Sequence, residues 1–293
     1  MEFEVEDHEE GSTLVNYLKE KLKGIYSSKQ LKRYIEQNHC LVNGVVERFA
    51  STRLQARDQV VIHLENDETS GFEFENDRIL FEDDAVFVYD KPSGVTSDAH
   101  GILQLLSQYV SPLFLVHRLD KETSGVIILA KNPKVKQSLE LQFKKRLVSK
   151  KYLCLVQGVP SKKKGTIKNF IGKITENRWK VVDRSKGKYA ETDWEVLTSD
   201  QGITLMACYP KTGRTHQIRL HMLSLGLPIL GDYSYFRDFT NAMPVKRCLL
   251  HAQEVSFNHP TSQGPIRLKA PIPQDFIAIS SMRIKSYLQS LMI

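Results

Sequence analysis

Leu14, Leu18 and Leu22 recur at four-residue spacing behind Ser12, which predicts a helix capped by that serine. A second helix is expected from Ser28, with Leu31 and Ile35 on its buried face and Lys29, Lys32 and Arg33 outward. Cys40-Leu-Val-Asn-Gly-Val-Val follows, and Asn43-Gly44 is a strong hairpin signal because both turn residues accept positive φ. After Asp58, residues 59–64 alternate as a strand, and residues 65–77 read as a polar linker. Further strands are expected at 79–81, 85–89, 152–157, 166–171, 192–197, 203–209 and 248–257, the last ending at His259-Pro260. Two more helices are expected. One spans 133–146, with Pro133 in its first turn and a stripe of Val135, Leu139 and Phe143; the other spans 215–225 and stops at Gly226. Many strands with few intervening helices argue for an α+β fold over a doubly wound sheet. The domain boundary is placed in the linker, giving units at 1–70 and 71–293.

Charge sharpens this picture. The 293 residues carry a net +7, yet residues 131–190 alone hold 18 basic and 3 acidic side chains. Residues 1–70 and 71–130 are net acidic, so one sixty-residue stretch carries more than the whole excess and points to a polyanion partner. The longest apolar run, 126–130, is far below the ~20 residues that span a bilayer. The acidic start is unlike a signal or transit peptide. Cys40, Cys154, Cys208 and Cys248 are scattered with no CxxC pair, which fits reduced, buried thiols of a cytoplasmic protein.

Several chemistries fail on their motifs. Lys211-Thr212-Gly213 has no Ser-Asp-Asn companion, no GxxxxGK[ST] phosphate loop occurs, and there is no GxSxG elbow. His216 and His221 lack the HExxH frame of a zinc enzyme, so no metal is expected. What remains is Asp120, within a polar cluster set between the apolar runs 114–116 and 126–130. If the chain is extended there, Arg118, Asp120 and Glu122 share one face. A structural salt-bridge loop is one reading. A glycosidase pair of Asp120 and Glu122 is another, and it needs carboxyls roughly 5–10 Å apart across a sugar. A second cluster, 209–221, turns from strand to helix at Thr212-Gly213, where exposed amides and Arg214 could hold an anion. Arg219 lies about one turn along, able to point back to the same mouth; solvated arginines on a helix are the alternative.

These segments carry a resemblance. His117-Arg-Leu-Asp-Lys-Glu-Thr-Ser-Gly, Lys151-Tyr152, Thr212-Gly-Arg-Thr-His-Gln-Ile-Arg, Gly231-Asp232 and Leu250-His251-Ala252 occur in the order seen in the RluA family of RNA pseudouridine synthases, over about 79–273. The family's first motif, Lys-Pro-x-Gly closely followed by His-Pro, is here Lys91-Pro92-Ser93-Gly94-Val-Thr and then Ser97-Asp98. Residues 12–64 are similar to the S-four-like RNA-binding domain, with Arg57-Asp58 where that family has Gly-Asp.

The resemblance implies a mixed, largely antiparallel catalytic domain that breaks the uridine C1′–N1 bond, rotates the base and rejoins it through C5, with no cofactor. It implies Asp120 as the catalytic carboxylate, acting at C1′ or C2′, with Arg219 as its partner. It implies Tyr152 as the ring stacked on a flipped uracil, its oxygen near C5. Arg118, His117 and Arg214 would contact the nucleic acid around the site, and Lys29, Lys32 and Arg33 the RNA bound by the small domain. The expected partner is structured RNA, foremost large-subunit ribosomal RNA, and the chain is expected to be a monomer. Transfer RNA as substrate, or a non-catalytic ribosome-assembly role on the same fold, are the alternatives.

Overall fold

A computed structural model describes residues 1–36, 39–64, 72–175, 178–236, 238–239 and 245–291. The chain divides into two units, residues 1–70 with 240–247, and residues 71–239 with 248–293. In the first lie β1 (Glu2–Glu4), α1 (Leu14–Lys21), α2 (Ser28–Glu36), β2 (Cys40–Val42), β3 (Val45–Val46) and β4 (Gln59–Ile62). The strands pair antiparallel in the order β1-β4-β2-β3. The leucine stripe of α1 and Leu31 and Ile35 of α2 are buried with Cys40, Val60 and Ile62, so both helices cover one face of this small sheet. Lys29 and Lys32 are exposed on α2, while the side chain of Arg33 falls outside the described residues. The cap of α1 is Thr13, one residue later than the pattern predicts.

Asn43 and Gly44 both have positive φ, 52° and 76°, and make the tight β2–β3 turn. The Asn43 side-chain amide donates to Asp58 Oδ1 at 2.8 Å, while Asp58 Oδ2 accepts the Gln55 amide at the same distance. One carboxylate thus fastens two turns, which accounts for an aspartate at the last position before β4. Arg57, where the resembled domain carries glycine, sits in the left-handed region at φ 71°. Of the polar linker expected at 65–77, residues 65–71 lie outside the described residues.

The second unit holds β5 (Ile79–Glu82), β6 (Val86–Lys91), α3 (Ile102–Leu106), β7 (Phe114–Leu115), β8 (Ser124–Ala130), α4 (Pro133–Lys144) and β9 (Ser149–Gln157). There follow β10 (Lys164–Thr175), β11 (Arg178–Val182), β12 (Lys188–Asp200), β13 (Ile203–Pro210), α5 (Gln217–Ser224), β14 (Leu250–Asn258), β15 (Pro265–Lys269), α6 (Gln274–Ile279) and α7 (Met282–Ser290). Its sheet runs β11-β10-β12-β13-β9-β14-β8-β6-β5, with β15 on β14 and β7 on β8. β14 and β8 pair parallel while the pairs around them are antiparallel, so the fold is α+β on a mixed, largely antiparallel sheet.

The all-apolar run of β8 is buried on both faces, as a central strand requires. Val126 and Ile128 face Val135 and Leu139 of α4. Ile127 and Leu129 face Ile102 and Leu106 of α3. The α4 start is set by Asn132, whose Oδ1 accepts the Val135 amide at 2.9 Å, followed by Pro133. At the mouth of β8, Gly125 has φ 110°, and a Cβ there would lie 2.3 Å from the Ala252 carbonyl oxygen. This position therefore needs glycine, and the close approach seats β8 against β14 where the Asp120 loop leaves the sheet.

Two expectations change. The helix expected at 215–225 begins only at Gln217, because the turn before it is held by side-chain bonds described below. The basic stretch also forms an unanticipated strand, β11, at the sheet edge. Its Arg178 and Lys180 are exposed, and the alternation of Trp179 and Val181 with them is too short to mark a strand, as at a charged edge. Among the described residues no helix is long and apolar enough to cross a membrane, and all four cysteines are buried and outside any disulfide.

Candidate active site

Asp120 lies in the irregular segment between β7 and β8, which is held almost entirely by other parts of the second unit. Ser97 Oγ donates to the Leu119 carbonyl at 2.9 Å and accepts the Leu119 amide at 3.1 Å. The fully buried Lys91 ammonium donates to the carbonyls of Pro92, Val95 and Lys121. The Gly94 amide donates to the Lys121 carbonyl, and Ser93 Oγ to that of Glu122. The Lys-Pro-Ser-Gly segment is thus a clamp on the Asp120 loop. Ser97, in the stretch that departs from the family pattern, is part of that clamp.

The loop is not extended, which corrects the expectation that Arg118, Asp120 and Glu122 share a face. The Asp120 carbonyl accepts the Thr123 amide, closing a turn that sends the two carboxylates apart. Glu122 Oε2 accepts the Cys248 amide at 3.0 Å, whereas Asp120 opens into a cleft of about 770 Å³. No local pair of carboxylates faces a common ligand, so the glycosidase arrangement drawn from this segment is not formed.

The cleft is lined by His117, Arg118, Asp120, Lys144, Arg146, Lys150, Tyr152, Lys211, Arg214 and His216, among others. Charge on its wall is strongly positive, and Arg118, Lys144 and Arg146 are exposed there. Lys150 is drawn down to about 8 by burial. His117 Nε2 accepts the Ile128 amide at 2.9 Å and its ring stacks on Phe143. Burial, and secondarily the Lys150 charge, pull His117 down to about 3, so it is a neutral imidazole tying the loop to β8. Tyr152, on β9, is half-buried against the α3-side core. Burial, and then the nearby Asp120 charge, push its phenol above the ordinary tyrosine range, so it keeps its proton at neutral pH.

The strand-to-helix turn is built around Gln217, the first residue of α5. Its Oε1 accepts from Thr212 Oγ1 and from the Arg214 amide; its Nε2 donates to the Glu191 carbonyl and Thr192 Oγ1. The Arg214 amide, expected to be open for an anion, is therefore occupied. Arg214 Nε donates to the Tyr189 carbonyl at 2.8 Å, which lays the guanidinium along the cleft wall.

Arg219 is 5% exposed and makes a two-pronged pair with Asp232, Nε to Oδ2 at 2.9 Å and Nη2 to Oδ1 at 2.6 Å. Its remaining nitrogen, Nη1, lies 3.7 Å from Asp120 Oδ2. Burial opposes the Arg219 charge, but the Asp232 carboxylate outweighs it and holds the guanidinium firmly protonated. The sequence reading took Asp120 as the arginine's partner; the primary partner is Asp232, and Asp120 is a second, looser neighbour. The signal for Asp232 was its place in Gly231-Asp232. His216 and Tyr235, which adjoin Asp120 and Arg219, carried no assigned role.

Asp232→Asn is expected to destabilise the fold by about 3 kcal/mol, since it leaves the Arg219 charge buried against a neutral amide. Urea unfolding of the two proteins measures this, and a difference below about 1 kcal/mol would mean that Asp120 can replace Asp232 as counter-ion.

Comparison with known proteins agrees with this architecture. Residues 85–224 match the family model described as RNA pseudouridylate synthase. An uncharacterized RNA pseudouridine synthase of Zymomonas mobilis is 39% identical over 213 residues, which cover 68% of this chain and 95% of that protein. Ribosomal large subunit pseudouridine synthase C of Yersinia pestis is 33% identical over 289 residues, covering 90% of this chain and 89% of the relative. Among solved structures, human RNA pseudouridylate synthase domain containing 4 superimposes with a TM-score of 0.59 at 26% identity, over 71% of this chain and 92% of that one. The chain belongs to the RluA family of RNA pseudouridine synthases, enzymes that isomerise uridine within RNA.

Proposed function

We propose that the chain converts specific uridines of large-subunit ribosomal RNA to pseudouridine, with Asp120 as the reacting carboxylate. The observation that carries this reading is the setting of that carboxylate. It is 24% exposed, at the floor of a basic cleft, with Arg219 at one oxygen and a protonated phenol, Tyr152, on the same wall.

A uridine flipped into the cleft brings its ribose to Asp120, which attacks C1′ or takes the proton at C2′ so that the C1′–N1 bond breaks. The freed uracil turns about and C5 bonds to C1′ as the Asp120 oxygen leaves C1′ or the C2′ proton is returned; C5 then loses its proton to solvent and N1 gains one, so the product is an isomer of the substrate. Tyr152 supports the base by stacking and by hydrogen bonding as a donor; a phenol held protonated is a poor acceptor for the C5 proton. Arg219, anchored by Asp232, keeps a positive charge beside Asp120 throughout. Extrusion costs a few kcal/mol, and phosphate contacts from Arg118, Arg214, Lys144 and Arg146 offset it. His117 acts by holding the loop. The reaction moves no net electrons, and the reading requires no cofactor.

Two observations favour ribosomal RNA. The likeness to large subunit synthase C covers more of this chain than residues 71–293 can supply, so it reaches into the amino-terminal unit. That unit, which we read as S-four-like, presents Lys29 and Lys32 on one helix, with Arg33 beside them in sequence. Pseudouridine mapping of cellular RNA with and without this chain tests the substrate: sites lost from large-subunit RNA support the reading, and losses confined to transfer RNA overturn it. Lys29→Glu combined with Lys32→Glu is expected to slow modification of ribosomal RNA by about tenfold or more and to spare a short oligonucleotide. Equal losses on both would remove the substrate-selecting role.

A further inference from the structure

We propose that His216 is a positioning residue for the Asp120 carboxylate, with its tautomer set by Tyr235. The inference rests on Asp120 as the reacting group. The two Asp120 oxygens face different neighbours: Oδ2 looks at Arg219 Nη1, 3.7 Å away, and Oδ1 at His216 Nε2, 3.9 Å away. Arg219 has spent its other two nitrogens on Asp232, so it can steady only one of these oxygens. The second needs its own donor.

Whether His216 can donate depends on where its proton sits. Its Nδ1 lies 2.6 Å from the Tyr235 hydroxyl. The Asp120 carboxylate beside Nε2 can only accept, which favours the imidazole proton at Nε2 and leaves Nδ1 to accept from that hydroxyl. Burial pushes the Tyr235 phenol up to about 12, so the hydrogen is present, and Nδ1 is the acceptor within reach. His216 itself is drawn down by burial, and then by the Arg219 charge, against the opposing pull of Asp120, Asp232 and Glu122. A neutral imidazole that accepts at Nδ1 carries its proton at Nε2, and Nε2 points at Asp120. The Tyr235 hydroxyl, His216 and Asp120 Oδ1 therefore stand in an order whose donors all point toward the carboxylate.

The backbone agrees. His216 caps α5 in the left-handed region at φ 54°, ψ 23°, a conformation that costs a non-glycine residue about 1 kcal/mol or more. The Gln217 bonds hold the turn in that shape, and its result is to turn the imidazole inward toward Tyr235 and Asp120. Both donor distances exceed a hydrogen bond, and a closure of about 1 Å on substrate binding makes both bonds at once. A neutral donor at Oδ1 orients the carboxylate without adding a second cation, which would lower its reactivity.

The test uses the full chain and RNA carrying 5-tritiated uridine, with kcat and KM followed from about pH 5.5 to 9 beside Asp120→Asn. His216→Ala should lower kcat about 10–100-fold with KM within about twofold. His216→Gln, whose amide can supply an N–H, should recover a large part of that loss. Tyr235→Phe keeps the ring and so carries the test even if the alanine variant folds poorly. It should lower kcat and move the acid limb of the kcat profile to higher pH, because an imidazole without the donor at Nδ1 takes up a second proton more easily. Unchanged kcat in His216→Ala, a loss in KM alone, or an unmoved acid limb in Tyr235→Phe overturns the assignment. An active Asp120→Asn protein would instead overturn the reading of Asp120 on which it rests, so the two failures are distinguishable.

Discussion

Asp120→Asn is expected to lower uridine isomerisation by at least ~10³-fold while leaving RNA affinity within several-fold. The asparagine is nearly the same shape, so the effect isolates the loss of a carboxylate that can attack C1′ or take a proton. The fold should tolerate it. Asp120 sits 3.7 Å and 3.9 Å from its two cationic or imidazole neighbours, distances too long to be hydrogen bonds the structure depends on. Arg219 is not orphaned either, since Asp232 holds it in a two-pronged pair. This is the contrast with Asp232→Asn, where the buried charge loses its counter-ion and stability is the quantity that moves. Removing one negative charge from a cleft that meets phosphate does not weaken RNA binding through electrostatics. Release of tritium from 5-tritiated uridine in RNA measures the rate; residual turnover near the parent level would sink the catalytic assignment.

RNA affinity is expected to fall roughly 10³-fold between 50 and 200 mM salt, the response for about six phosphates engaged. The charge that would do this is concentrated. Residues 131–190 are net +15, and most of their lysines and arginines are exposed, on the last turn of α4 and along the β10–β11 hairpin. Lys144, Arg146, Lys211 and Arg214 lie on the cleft wall itself, so the same positive field reaches the uridine's flanking phosphates. Lys150 responds to pH as well as salt, because burial brings it down to about 8 and part of its charge is lost as pH rises through that value. Filter binding across the salt series at constant pH measures the slope. A flat response would mean that contacts to bases and sugars dominate, and that the charge of this stretch serves another purpose.

Much of the element pattern was legible because it is written in neighbouring residues. The leucine spacing of α1, the Asn43-Gly44 turn, Pro133 in the first turn of α4 and the apolar run of β8 each express a preference satisfied within a few residues. The strand β11 escaped notice because its five residues offer only Trp179 and Val181 in alternation, within a run of lysine and arginine. The helix at α5 starts two residues late because Gln217 bonds to Thr192 and Glu191, more than twenty residues away, and no local propensity encodes that. The Asp120 segment was recognisable by composition, yet its shape was misjudged. A polar run between two strands looks extended until Lys91, Ser93 and Ser97 are seen to grip its carbonyls.

The sequence by itself determined the α+β class, the family and the basic stretch, and it singled out Asp120 as the candidate beside that stretch. Each is carried by short motifs or local periodicity. Only the tertiary structure decided which charges meet. It paired Arg219 with Asp232 ahead of Asp120, turned Glu122 to the Cys248 amide, made Lys91 a buried clamp, and set His216 and Tyr235 beside the carboxylate. Electrostatic interaction depends on distance and burial through space. The chain brings most of these groups together from different elements, at separations that reach 126 residues between Glu122 and Cys248, so their partnership has no local signature to read.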